Sequence, residues 1–222
     1  MVDFAKARMT MLDCQIRTVD VTDYDVLAAF AAVPRESFVP DALKPLAYID
    51  EDMLLTAPGE PPRYLMEAGP LARLLQLAEI LPDDRVLDVG SGTGYSAAIL
   101  SRLAGHVTAL EENASLAAKA REILPGLGAD NVEMVVGPLS AGWPAGAPYD
   151  VIVVEGAIEM MPESLPAQLA DGGRIVAVVG TRGLAAKATL YTRSGDSVSG
   201  RPAFNTHVRL LPAFAAPTGF VF

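Results

Sequence analysis

Apolar residues fall into three rhythms along the chain. To about Pro45 the spacing is helical: Val26, Leu27, Phe30 and Val33 share one face. That helix should open near Thr22-Asp23-Tyr24-Asp25, with Thr22 as the cap and Asp25 as a capping-box acid. Val21 and Val26 are spaced as a hydrophobic staple, and Pro34 and Pro40 close the segment. From Leu46 to Pro62 the rhythm lapses into acids (Asp50, Glu51, Asp52) and prolines (Pro58, Pro61, Pro62), the pattern of a functional lid or a linker. From Tyr64 onward, helices and short apolar strands alternate. Helices are predicted over Met66–Ile80, Tyr95–Leu103, Ser115–Ile123 and Glu163–Leu169. Strands are predicted over Arg85–Val89, Val107–Glu111, Val132–Val136, Asp150–Glu155 and Arg174–Val179. Two further strand-like runs, Ala186–Thr192 and Thr206–Pro212, lack a crossover helix between them and should pair antiparallel. This order predicts an α/β fold with a doubly wound, mostly parallel sheet.

Composition narrows the partners. With 51% hydrophobic and 20% charged residues the 222-residue chain can fill a core. Its apolar runs are interrupted too early for a membrane span, and Met1 to Arg8 carries no signal-peptide pattern, so a cytoplasmic location is expected. The net charge of −10, with Lys and Arg scattered, argues against nucleic acid or an anionic membrane as partner. Cys14 is the single cysteine, which excludes an internal disulfide and a Cys-based metal cluster; it is expected to be buried or half-buried. His106 and His207 have no partner at metal-ligand spacing, so no metal is expected.

The informative stretch is Val86-Leu87-Asp88-Val89-Gly90-Ser91-Gly92-Thr93-Gly94-Tyr95, a strand that runs through a glycine turn into a helix. Such glycines allow a sharp turn and close approach of a ligand to the backbone. The next strand ends in Glu111, about 23 residues after Asp88, where an acid can accept both hydroxyls of a ribose. A nicotinamide dinucleotide and S-adenosylmethionine both fit a ribose-binding unit of this kind. The acid just before the turn suits a cationic ligand better than a pyrophosphate, which favours the methyl donor. Asp88 could meet its ammonium, while Gly90 and Gly92 carry the methionine portion.

Beyond the glycine turn, Met11-Leu12-Asp13-Cys14-Gln15-Ile16-Arg17, Val26-Leu27-Ala28-Ala29-Phe30 and Val33-Pro34-Arg35-Glu36-Ser37-Phe38-Val39-Pro40 resemble the N-terminal helices and VPRxxFVP signature of the protein-L-isoaspartate (D-aspartate) O-methyltransferases. Ala47-Tyr48-Ile49-Asp50, Pro148-Tyr149-Asp150-Val151-Ile152-Val153-Val154, Pro162, Gln168-Leu169 and Asp171-Gly172-Gly173-Arg174-Ile175-Val176 are similar to later family segments. The resemblance implies a seven-stranded Rossmann-like sheet of the class I S-adenosylmethionine-dependent type with an N-terminal helical extension. It implies a division into an extension and substrate loop (1–62) and a donor-binding domain (63–222). It further implies methyl transfer to the α-carboxylate of isoaspartyl residues in damaged proteins, leaving S-adenosylhomocysteine, by a monomer or homodimer. Donor-binding residues would be Asp88, Gly90, Ser91, Gly92, Thr93, Gly94, Glu111, Glu112, Gly137, Pro138, Leu139 and Glu155.

The chain departs from that family in three places. Thr56-Ala57-Pro58-Gly59-Glu60-Pro61-Pro62-Arg63-Tyr64-Leu65 replaces the family's Gly-Gln-Thr-Ile-Ser-Gln-Pro loop, whose hydroxyl residue is implicated in catalysis. Arg63, Tyr64 and Thr56 are the catalytic candidates there: Arg63 as a bidentate clamp on the acceptor carboxylate or as a solvated loop charge, Tyr64 as a further donor. Gly137-Pro138-Leu139 stands where the family commonly has Gly-Asp-Gly, which leaves adenine to backbone groups, packing or Ser140. Glu155 ends the fourth strand of the fold, where the family has a small or hydroxyl residue; it is either a buried structural acid or part of the site. Trp143 reads as a packing anchor under a loop. Alternatives that stay open are a divergent methyltransferase with another acceptor, a non-catalytic S-adenosylmethionine-binding protein and a nicotinamide oxidoreductase. The tail Thr218-Gly219-Phe220-Val221-Phe222 either tucks back or meets a partner.

Overall fold

The computed structural model describes residues 2–180 and 186–215; the C-terminal tail, Thr218 to Phe222, lies outside the described residues. The element order begins with helix α1 (Phe4–Met11), a π-turn and short 3-10 turns, and helix α2 (Tyr24–Ala32). A small antiparallel hairpin follows, β1 (Met53–Leu54) with β2 (Tyr64–Leu65), inside the stretch that the sequence marks as irregular. Then come α3 (Ala68–Ala78), β3 (Arg85–Val89), α4 (Tyr95–Leu100), β4 (His106–Glu111), α5 (Ala114–Ile123), β5 (Val132–Val136), β6 (Tyr149–Ile158), β7 (Leu169–Val179), β8 (Lys187–Ser194) and β9 (Ser197–Asn205).

The main sheet has seven strands in the order β5-β4-β3-β6-β7-β8-β9. The first five are parallel, and β8 and β9 are antiparallel additions. Chain order reverses between β3 and β6, and in an open sheet of this kind that switch point is where the crevice opens beyond the strand C-termini. Side-chain alternation sorts the strands into two faces. Val86, Val107, Ala109, Val151, Val153, Val176 and Val178 join the residues of α2, α3, α4 and α5 in one apolar core. Leu87, Val89, Leu110, Ile152, Val154, Ile175 and Ala177 form a second core on the other face. That second face is covered by 3-10 turns over 139–141, 144–146, 166–168 and 212–214.

Several sequence-based expectations shift. The cap of α2 is Asp23, whose carboxylate accepts from the backbone N–H groups of Asp25 and Val26. Thr22 instead donates its own N–H to Gln76 Oε1 at 2.7 Å. This places Asp25 one position short of a capping-box acid, although Val21 and Val26 are both buried. The helix expected over 163–169 shrinks to the turn Pro166–Gln168, because Pro166 has no N–H to donate. The last strand is Ser197–Asn205, not Thr206–Pro212: a two-residue turn at Gly195, with φ 59°, reverses the chain first. The 206–212 segment returns across the sheet end and touches it at one parallel bridge, Leu210 to Ala157. Cys14 is exposed, because it lies on the outer side of the π-turn Leu12–Ile16. Among the described residues, no helix is long and apolar enough to cross a membrane.

Candidate functional site

Three acids meet at the C-terminal ends of the three neighbouring strands that flank the switch point. Asp88 lies on β3, Glu111 closes β4, and Glu155 lies on β6 just beyond its pairing with β3. Each is separated by an even number of positions from a first-core residue (Val86, Ala109 and Val153), so all three carboxyls project from the same face. All are buried. Glu155 does not end its strand, as the spacing suggests; β6 continues to Ile158 through a register shift between Val153 and Ala157.

The glycine turn lies among these acids. Gly90, Gly92 and Gly94 have φ values of 88°, 57° and 93°, the region a side chain resists. The turn is pinned from below: Gly90 N and Ser91 N donate to Leu110 O, at 2.8 and 3.2 Å. Thr93 Oγ1 donates to Phe38 O at 2.6 Å, which binds the turn to the N-terminal segment. Ser91 Oγ faces Met134 Sδ at 3.8 Å. For both hydroxyl residues, then, the backbone is the part left to meet a ligand.

Electrostatics differ sharply between the three acids. Asp88 Oδ2 accepts from Ser96 Oγ, in the first turn of α4, at 2.7 Å, and its Oδ1 is buried without a partner. Burial, aided by the Glu111 charge, pushes the Asp88 carboxyl up to about 7. Glu155 Oε1 is likewise buried and unpartnered. Burial, with the Asp88 charge beside it, holds the Glu155 carboxyl well above the usual range. Glu111 is in contrast saturated: Oε2 accepts from Gly92 N at 2.8 Å and from Arg63 Nη2 at 2.8 Å. Its Oε1 accepts from Asn113 N at 3.0 Å and from Arg63 Nε at 3.3 Å.

Arg63 is therefore neither a solvated charge nor a free clamp. It is buried, and Nη2 also donates to Gly90 O at 2.9 Å. Thr56 is buried next to it and accepts from Arg63 N through its hydroxyl at 3.2 Å. Tyr64 is half-buried, with the Arg209 guanidinium carbon 5.1 Å from its ring centroid. Glu112 is exposed next to Glu111. Gly137 N donates to Glu111 O at 3.2 Å, Pro138 is exposed, and Leu139 is buried, its Cδ1 3.6 Å from where a Cβ on Gly90 would stand. Trp143 packs against Gly137, its Cζ3 3.3 Å from a Cβ built there, as an anchor should. Among the described residues, no group of His, Cys, Asp and Glu could hold a metal ion.

Sequence reasoning missed three contributors: Ser96 on Asp88, Asn113 N on Glu111, and Leu55, whose Cδ1 is 2.9 Å from a Cβ built on Gly92. Ser96 carries a readable signal, a hydroxyl in the first turn after a glycine turn. Leu55 carries none, because its position depends on the β1–β2 hairpin.

The donor set suits a cationic ligand with a ribose. Two unpartnered buried carboxyl oxygens flank the switch point, an acid with ribose-acceptor placement lies one strand away, and the glycine backbone between them tolerates no side chain of its own.

Comparison with known proteins gives the family. The family model described as "Protein-L-isoaspartate(D-aspartate) O-methyltransferase (PCMT)" matches residues 7–214. Protein-L-isoaspartate O-methyltransferase 1 of Rhodopseudomonas palustris (strain HaA2) is 40% identical over 191 residues, covering 86% of this chain and 76% of that protein. The protein-L-isoaspartate O-methyltransferase of Koribacter versatilis (strain Ellin345) is 41% identical over 192 residues, covering 86% and 85%. Among solved structures, a protein-L-isoaspartate O-methyltransferase superimposes with a TM-score of 0.79 at 25% identity, over 93% of this chain and 67% of that one. A Plasmodium falciparum chain, solved with S-adenosyl-L-homocysteine, shares the fold with a TM-score of 0.75 at 19% identity over 93% and 98%. The seven-stranded sheet with its N-terminal helices is thus the class I S-adenosylmethionine-dependent methyltransferase fold, and the chain belongs to the protein-L-isoaspartate (D-aspartate) O-methyltransferase family.

Proposed function

We propose that this methyltransferase binds S-adenosylmethionine at the switch point and methylates the α-carboxylate of isoaspartyl residues in damaged proteins. The observation that carries the donor's seat is the acid trio on β4, β3 and β6, with unpartnered oxygens on Asp88 and Glu155 beside a glycine turn. The donor supplies an electrophilic methyl group on a sulfonium. Asp88 holds its ammonium, and the unpartnered Glu155 oxygen offers a further acceptor on the same wall. Gly90, Ser91, Gly92, Thr93 and Gly94 present backbone to the methionine portion. Glu111, with Glu112 exposed beside it, receives the ribose. Gly137, Pro138 and Leu139 flank adenine, with Leu139 as the apolar surface.

The acceptor asks little of the protein in acid–base terms, since a carboxylate is already a nucleophile at neutral pH. What is needed is orientation and exclusion of water. Residues 1–62 shape that side, and Arg63, Tyr64 and Thr56 stand where the family's hydroxyl-bearing loop would be. The resulting ester closes to a succinimide more readily than the free acid, which gives the chain a route back to aspartate. Incubation of an isoaspartyl peptide with enzyme and donor should convert part of it to the aspartyl isomer, separable by chromatography. No conversion, with S-adenosylhomocysteine binding intact, favours another acceptor, the reading that the substituted 56–65 stretch supports.

A further inference from the structure

A carboxylate offers roughly four acceptor positions on its two oxygens. All those of Glu111 are taken: two by the backbone N–H groups of Gly92 and Asn113, two by Arg63. Gly92 and Asn113 belong to the turn and to the cap of α5, so their N–H groups are fixed by the framework. Any ribose that is to bond Glu111 must take the place of Arg63. The same side chain lies over the glycine turn, 3.0 Å from where a Cβ on Gly90 would stand, and Leu55 occupies the matching place over Gly92. Both residues come from the β1–β2 hairpin and its flank, closed by Leu55 N donating to Arg63 O at 2.8 Å. The hairpin's own loop, residues 57–62, is exposed throughout.

We propose that Arg63 is an internal stand-in for the donor's ribose. In the free protein it closes the seat by engaging Glu111 and Gly90. Binding of the nucleoside displaces it, and the released guanidinium becomes available to the acceptor carboxylate. Donor therefore binds before acceptor. This rests on the reading of Glu111 as the ribose acceptor. It changes the role of Arg63 from a fixed clamp to one that the first ligand releases, since the wild-type pair must be broken before either ligand can use its half.

The test compares wild type, Arg63→Ala and Arg63→Gln by calorimetric titration with S-adenosylhomocysteine and by thermal unfolding of the free proteins; the Gln variant keeps part of the side-chain volume and an N–H donor should Ala fail to fold. Removal of the stand-in should lower the melting point of the free protein, because Glu111 is left buried and uncompensated. The same change should tighten S-adenosylhomocysteine on the order of tenfold, because the closed state no longer competes. A residue with a merely structural role would lower both. Unchanged or weaker binding in the variants, with wild type binding, overturns the proposal and leaves the seat in place. No binding by wild type or either variant overturns the seat itself, and the proposal with it. Isoaspartyl peptide should bind wild type more tightly when S-adenosylhomocysteine is present, and Arg63→Ala should lose that gain; a gain that persists in the variant removes the acceptor role of Arg63.

Discussion

Replacement of Asp88 by Asn should stabilise the free protein at alkaline pH while it damages donor binding. Asp88 is completely buried, holds one Ser96 hydrogen bond and keeps one oxygen unpartnered beside Glu155. Its carboxyl is pushed up to about 7 by burial, with Glu111 adding to the effect. In the unfolded chain it titrates near the usual value of about 4. Between those two values the folded protein holds the proton more tightly, so stability falls as pH rises through that window and is greatest below it. The move from about 4 to about 7 corresponds to about 4 kcal/mol at most, shared with the neighbouring Glu155. Asn is isosteric, carries no charge to desolvate and still accepts from Ser96 through its Oδ1. In a chain of this length about 1 kcal/mol moves a melting point by roughly 2–4 °C, so Asp88→Asn should melt about 5–10 °C above wild type near pH 8. The gap should narrow as pH falls through that window and close only below about pH 4, where the carboxyl is protonated in both the folded and the unfolded chain. The assay is thermal unfolding of both proteins without ligand across that range, with titration of S-adenosylhomocysteine alongside. A gap that is constant with pH, or an Asn variant that is less stable near pH 8, would refute the reasoning.

Two further substitutions probe the glycine turn and the C-terminal end of α3. Gly92→Ala places a methyl at φ 57° and 2.9 Å from Leu55 Cδ1, so it should destabilise by about 1–3 kcal/mol and weaken S-adenosylhomocysteine binding; denaturant unfolding and calorimetry read the two effects. Arg174 closes the C-terminal end of α3 by donating to Ala78 O and Glu79 O, at 2.7 and 3.0 Å, and it pairs with Asp84 at 2.7 Å. Arg174→Ala should cost about 1–3 kcal/mol in a denaturant melt and leave S-adenosylhomocysteine affinity untouched.

Legibility in the sequence followed the range of the forces involved. The parallel strands were readable because each is a short, nearly continuous apolar run, the mark of burial on both faces. β3, β4 and β5 fall within a residue of expectation. The glycine turn and Glu111 were readable because both follow from backbone geometry local to one βαβ unit. Elements governed by one hydrogen bond were less so: Asp23 in place of Thr22 as a cap is a choice between adjacent side chains, settled by Gln76 on another helix taking Thr22 N. The 163–169 segment has the apolar spacing of a helix, but a proline four residues in leaves too few N–H groups to propagate it. Gly195 decides β9, since the turn reverses the chain before the apolar run at 206–212 begins. Arg63 was legible as a candidate, but its bond to Glu111 was not. Its partner lies 48 positions away and is reached only because the hairpin folds over the glycine turn, a tertiary event with no local pattern.

The reaction proposed for this chain is methyl transfer from S-adenosylmethionine to an isoaspartyl carboxylate. The direct measurement supplies labelled donor with an isoaspartyl peptide and, in parallel, the matching aspartyl peptide, and follows base-labile label. Label is expected on the isoaspartyl peptide alone, and it should be lost in the Asp88→Asn protein. Label on neither peptide, or equally on both, would contradict it.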